Sequence, residues 1–227
     1  MENIIVAPDN TAYTSVDGVL FSKDMTTIVK YPEGRNGHYA IPNSVTFIGR
    51  DAFSRSNNLT SITIPYSVKT IANSAFSCCS SLSSVTIPSS VKFIGEEAFY
   101  WCSDLKDFEV LAVTPPTVYA NSFDHDGYYR YKRIRLWVPY ESQDEYKKHE
   151  VWGHFDTIGV IKTAIDENTI DGRDDALVKV IDGRIIAPAG SRVFNLSGFE
   201  IHDDDDLPTG VYVVVTPTRR SIKVKVD

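Results

Sequence analysis

The chain has 227 residues, of which 42% are hydrophobic and 23% charged, and its formal net charge is −7. That is an ordinary globular composition for one or two domains. The acidic balance argues against a nucleic-acid binder, which needs a basic face to neutralise phosphate. No apolar run approaches the roughly 18 residues of a membrane helix. Met1-Glu2 does not open a secretory leader. Three cysteines, an odd number, leave no complete disulfide framework.

In chain order, Ile4–Pro8 already reads as part of a coil, and three later segments align without a gap. They are Tyr39–Phe53, Ile62–Phe76 and Val85–Phe99. Pro42, Pro65 and Pro88 lie 23 residues apart, as do Val45, Val68 and Val91, Ile48, Ile71 and Ile94, Phe53, Phe76 and Phe99, and Leu59, Leu82 and Leu105. A period of this length is one coil of a solenoid per repeat. Leu82-x-x-Val85-x-Ile87 fits the L-x-x-L-x-L strand of a leucine-rich repeat, with Val85 and Ile87 inward and Thr86 outward. Pro88 has no N–H for a ladder and ends the strand. Ser44, Ser67 and Ser90 are placed to bond turn backbone. Glu96–Phe99 is expected to form a short helical turn that stacks Phe99 on Phe76 and Phe53. Cys79 and Cys102 are equivalent positions and read as small buried hydrophobes, with Cys78 pointing elsewhere.

The pattern I-x-I-P-x-S-V-x-x-I-x-x-x-A-F-x-x-C-x-x-L resembles the BspA-type leucine-rich repeats of bacterial surface proteins. The resemblance extends upstream to Asn10–Asp24, similar to the D-G-V-L-x-S-K-D hairpin that precedes such arrays. It extends downstream through Thr114-Pro115-Pro116, Leu136–Pro139, Tyr146, Trp152, Phe155 and Ile158, similar to a terminal coil. It implies a leucine-rich repeat solenoid, mainly strands with short helical turns, displayed at a bacterial surface or secreted, that adheres to host matrix proteins, other bacteria or epithelium.

After Leu105 the period decays. Asn121-Ser122-Phe123 echoes the Ala-Phe position one residue late. Ser142–Glu150 is expected to be a helix, with Ser142 as N-cap and Glu145 at capping-box spacing. Tyr146, Trp152 and Phe155 are expected to cover the last coil. The boundary falls near Thr163, giving a repeat domain over 1–162 and a second domain over 163–227. Strand candidates there are Leu177–Ile181, Arg184–Ile186, Ser191–Leu196, Val211–Thr216 and Ser221–Val226, which make a small all-β sandwich. This segment resembles the C-terminal sandwiches of Bacteroidetes surface and secreted proteins, some of which are sorting signals. It lacks the early P-N-P stretch of those signals.

Chemistry is sparse. His149 and His154 are five apart, so they do not share a helix face as H-E-x-x-H histidines do. Asp203–Asp206 has oxygen donors but no EF-hand spacing, and reads as a solvated loop. No nucleophile, phosphate or dinucleotide motif occurs. No catalytic residue, metal or cofactor is assigned, and the chain is read as a non-enzyme.

Two surfaces remain. The outward strand positions are Ser61, Thr63, Ser84, Thr86, Asp107 and Glu109, a flat polar face expected to lack Trp, Tyr and Arg anchors. The segment Tyr128, Tyr129, Arg130, Tyr131, Lys132 and Arg133 is aromatic and basic, and reads either as a ligand contact or as a cap strand with alternate tyrosines buried. Three functions stay open: an adhesin for host or bacterial macromolecules, a spacer without its own ligand, and a glycan-binding accessory protein. The implied partner is a protein or a glycan, and the implied location extracellular or cell-surface.

Overall fold

The fold was analysed in a computed structural model that describes residues 1–123 and 131–161 and, beyond them, six strands within 179–226. The chain divides into two compact units, Met1–Ile161 and Lys162–Asp227.

The first unit opens with a hairpin, β1 (Tyr13–Val16) and β2 (Val19–Ser22), joined by Asp17-Gly18. Both turn residues have positive φ, 48° and 71°, which a two-residue hairpin turn matched to strand twist requires. β3 (Thr27–Lys30) follows, and then the chain alternates between two sheets. One side carries β4 (Gly37–Ala40), β6 (Leu59–Thr63), β8 (Ser84–Ile87), β10 (Asp107–Val110), β12 (Arg135–Pro139) and β13 (Thr157–Ile161). These pair as β4–β6 and as β8–β10–β12–β13, all parallel. The other side carries the two-residue strands β5 (Phe47–Ile48), β7 (Thr70–Ile71), β9 (Phe93–Ile94) and β11 (Thr117–Val118), which extend the β1–β2–β3 sheet. The result is a β-solenoid of leucine-rich repeat type.

Equivalent side chains stack along its axis. Val45, Val68, Val91, Ile48, Ile71, Ile94, Leu59, Leu82 and Leu105 are all buried. The rings of Phe53 and Phe76 are 4.9 Å apart and tilted by 12°, and those of Phe76 and Phe99 are 5.2 Å apart and tilted by 8°. Phe123 continues the stack 5.7 Å from Phe99. Its one-residue lateness in sequence is absorbed by the chain.

The corner after each Ile is not the helical turn expected. Asp51, Ser74 and Glu97 have φ of 54–56°, and Arg55, Cys78 and Trp101 have φ of 56–64°. Left-handed residues interrupt any helix, at about 1–3 kcal/mol each when the residue is not glycine. The compensation lies between coils. Ser74 donates its N–H to the Glu96 carbonyl at 2.8 Å, Arg55 to Ser77 at 2.8 Å and Cys78 to Tyr100 at 2.7 Å. The left-handed conformation at these three residues turns the N–H along the solenoid axis, where the next coil accepts it.

The serine positions also act between coils. Ser90 Oγ donates to the Val68 carbonyl of the previous coil at 2.8 Å, while Ser67 Oγ is buried without a partner. Cys79 and Cys102 are buried, and their thiols donate to the Phe53 and Phe76 carbonyls, each at 3.1 Å. Burial pushes the Cys79 thiol up to about 12.

The far end is closed by aromatic side chains. Phe108 packs edge-on against Phe99 and Phe123, at 4.9 Å from each. Behind it lie Tyr146 of α1 (Gln143–Lys148), Trp152 of a short 3-10 turn (Trp152–His154), Phe155 and Tyr131, all buried. Three of them donate to the terminal coil. Tyr146 Oη reaches the Ala112 carbonyl at 2.8 Å, Trp152 Nε1 the Pro116 carbonyl at 2.9 Å and Tyr131 Oη the Ala120 carbonyl at 2.8 Å. Ser142 is not the N-cap by side chain: its hydroxyl donates to the Pro139 carbonyl at 3.0 Å, because a 3-10 turn (Tyr140–Ser142) runs straight into the helix.

In the second unit, β14 (Lys179–Ile181) and β15 (Arg184–Ile186) form a hairpin. β16 (Arg192–Asn195), β17 (Glu200–Ile201), β18 (Gly210–Val215) and β19 (Ser221–Val226) form an antiparallel sheet in the order β17–β16–β18–β19. The Asp203–Asp206 run lies outside the described residues.

Two outcomes test this core. Phe76→Ala removes a ring stacked on both sides and is expected to cost about 3–5 kcal/mol, read as a lower urea midpoint with an unchanged slope in Phe76→Leu as the milder control. A maleimide is expected to modify Cys78 alone in the native protein and all three cysteines in denaturant; native labelling of Cys79 or Cys102 would contradict their burial.

Candidate binding face

The strand side presents two outward rows. In the first, His38 pairs with Ser61, and Ser84, Asp107, Arg135 and Thr157 stand in register. In the second, Ala40 pairs with Thr63, and Thr86, Glu109, Trp137 and Gly159 stand in register. Side chains of one row sit about 4.8 Å apart, the strand spacing. The face is therefore a grid whose columns are coils.

All six outward positions expected from the repeat stand in these rows, and side-chain hydrogen bonds link several of them to neighbours on the face. His38 Nδ1 lies 3.0 Å from Ser61 Oγ, and its Nε2 lies 3.3 Å from Thr63 Oγ1. Thr86 Oγ1 donates to Glu109 Oε2 at 2.8 Å. Burial, and then the charge of Glu109, push the hydroxyl of Tyr66 up to about 12.

The expectation of a face without anchors is overturned at β12. Arg135 Nη2 donates to Asp107 Oδ2 at 2.6 Å, and Trp137 Nε1 donates to Asp107 Oδ1 at 2.8 Å. One carboxylate thus holds both a guanidinium and an indole. Burial alone would raise the Asp107 carboxyl. The hydrogen bonds from Trp137 and Arg135, with the charges of Arg135 and Lys106, outweigh it and hold the group below its ordinary 3.8.

Gly159 completes the arrangement. A methyl group on its Cα would lie 2.5 Å from Cζ3 and 2.6 Å from Cε3 of Trp137. The benzo edge of the indole therefore rests on the bare backbone of β13, while the pyrrole N–H is pinned on β10. The ring lies across three strands, and no residue larger than glycine leaves room for it.

The other candidate segment divides. Tyr128, Tyr129 and Arg130 lie outside the described residues, and Lys132 and Arg133 are exposed just ahead of β12. Tyr131 does not belong to a ligand surface: it is fully buried against Phe123 and Phe155, as part of the cap. His149 is also structural, its Nδ1 accepting the N–H of Val151 at 3.1 Å. Among the described residues no group of three or more His, Cys, Asp or Glu is placed to hold a metal ion, and no helix is long and apolar enough to cross a membrane.

Comparison with known proteins agrees with this geometry. Residues 36–125 match the model of the BspA type Leucine rich repeat region, in six copies. The middle of the solenoid is thus similar to BspA-type leucine-rich repeats. A leucine-rich repeat protein from Eubacterium ventriosum superposes with a TM-score of 0.51 at 26% identity, over 61% of this chain and 36% of that one. A leucine rich cell surface protein from Faecalibacterium prausnitzii superposes with a TM-score of 0.51 at 22% identity, over 69% of this chain and 41% of that one. The chain thus spans well under half the length of either. No curated protein matches its sequence.

The Asp107 anchor has a defined pH signature. Because its carboxyl is held below 3.8 in the fold, its contribution is present above that value and lost as pH falls through the lower, folded one. The Gly159 α-protons, shielded by the indole, are expected upfield in the proton spectrum at neutral pH and to move toward ordinary positions only as pH falls below 3.8. Asp107→Asn is expected to flatten that transition, and Gly159→Ala to shift Trp emission to the red at every pH. Unshifted Gly159 α-protons at neutral pH would contradict the resting place of the ring.

Proposed function

We propose that this chain is a non-enzymatic binding module of a bacterial surface protein, and that it holds macromolecules on the strand face of its solenoid. The observation that carries this reading is the Arg135–Asp107–Trp137 cluster. Trp and Arg are the residue types that dominate interface energies, and here both are immobilised before any partner arrives. A rigid surface pays little ordering entropy on binding. The grid of Ser, Thr and His around it supplies a polar rim. The fold likeness to a leucine rich cell surface protein supports display at a surface. Adhesion, secretion and a role of Lys132 and Arg133 beside the face belong to the same proposal. A spacer without its own ligand is the weaker reading, since a spacer has no use for a half-buried Trp anchored by a carboxylate.

The test is biolayer interferometry of the purified chain against fibronectin, fibrinogen, laminin and mucin. Saturable binding to at least one, weakened about tenfold or more by Arg135→Ala with Trp137→Ala, is the expected result. Binding untouched by that double variant would move the site off the strand face, and no binding to any surface would favour the spacer.

A further inference from the structure

We infer that Trp137 is a stacking platform for a neutral pyranose, so that the macromolecule held by the strand face is recognised through its glycan. This rests on the strand-face reading above and gives it a ligand class.

Three observations carry the inference. The first is the posture of the ring. Its benzo edge lies on Gly159 and its N–H on Asp107, so both edges are tied to the sheet and Trp137 is only half-buried. An indole held over the sheet at both edges offers its outer π-face to the weakly positive C–H bonds of a sugar ring. The second is the surround. Glu109 stands beside Trp137 in register, and Asp107 and Arg135 stand one row away. Carboxylate oxygens accept hydroxyl protons, and the guanidinium donates to hydroxyl oxygens. The third is what the face lacks. Apart from Trp137, the two outward rows hold Ser, Thr, His, Asp, Glu, Arg, Ala and Gly, and the next alternate positions of β12 and β13 are Pro139 and Ile161. A protein partner of ordinary size needs a broader apolar centre, whereas one aromatic plate in a field of hydroxyls and charges matches the amphipathic surface of a sugar.

Charge selects among sugars. Asp107 and Glu109 stand against Arg135 and the nearby Lys106, so the patch carries no excess charge. Sialic or uronic acids therefore gain no net attraction, and neutral hexopyranosides or N-acetylhexosamines fit. The same balance makes binding insensitive to salt, because no net ion pair forms with the ligand.

The chain has three tryptophans, so proton–nitrogen spectra contain three indole signals, and Trp137→Phe identifies the relevant one. Methyl glycosides of glucose, galactose and N-acetylglucosamine are titrated to about 50 mM, as single-sugar affinities are weak. Saturable movement of the Trp137 signal with at least one glycoside, with that of buried Trp152 unmoved, is expected. Capture of the chain on mucin is expected to fall about tenfold in Trp137→Ala, to fall likewise when the mucin is oxidised with periodate, and to be unchanged in Trp101→Ala, whose ring is exposed on another face. Gly159→Ala tilts the ring without removing it and is expected to weaken capture while its melting transition stays cooperative. A Trp137 signal unmoved by all three glycosides overturns the inference, as does equal capture on intact and periodate-treated mucin. If Trp137→Ala then still weakens capture of the oxidised protein, the strand-face reading survives with a polypeptide ligand. If the wild-type chain is captured by nothing, that reading falls as well.

Discussion

Everything in the first unit depends on one constraint: a coil cannot satisfy itself. Its apolar side chains form a single layer, and many of its backbone donors reach along the solenoid axis to the next coil rather than within their own. Both needs are met by the neighbour. Phe53, Phe76, Phe99 and Phe123 form one continuous stack, and Arg55, Ser74 and Cys78 donate their N–H groups onward to Ser77, Glu96 and Tyr100. The left-handed backbone at these corners is unfavourable in an isolated coil and becomes tolerable only when the next coil supplies an acceptor. Local strain and long-range pairing are therefore one device.

The same constraint creates a problem at the end of the array. The last coil offers carbonyls with no further coil to take them, over a core with no further ring to cover it. Tyr146, Trp152 and Tyr131 answer both needs at once, since each is a large apolar plate with one polar tip. Their tips reach Ala112, Pro116 and Ala120, four residues apart along the terminal coil. The cap is hence a substitute coil made of side chains.

Closing the array also releases the outward positions from the repeat. In the coils of β6 and β8 these hold Ser and Thr, which are short side chains. β12 stands beyond the periodic segment, and there the rule relaxes to admit Arg135 and Trp137. Because β12 still pairs with β10 in register, the new side chains land beside Asp107 and Glu109. The candidate site exists where a regular scaffold and an irregular terminus meet.

How much of this was legible depended on periodicity. The stack of phenylalanines, the buried Val, Ile and Leu columns and the outward rows could be read from equivalent positions 23 residues apart, since stacking makes like positions into neighbours, and the aromatic cap from the need to cover the last coil. The corners were misread as helical because the sign of φ leaves no trace in residue type when Asp, Ser, Glu, Arg, Cys and Trp all occupy left-handed positions. Ser142 was misread as a cap because its partner, the Pro139 carbonyl, belongs to a turn invisible to spacing. Trp137 was seen only as a member of the terminal coil. Asp107 and Arg135 are 28 residues apart, off the repeat, so no period aligns them. The amino-acid sequence by itself determined the solenoid and its core, because burial recurs at every coil. Only the tertiary structure decided that Asp107, Trp137 and Gly159 share one patch, because their meeting depends on strand register and on the space left by a missing side chain.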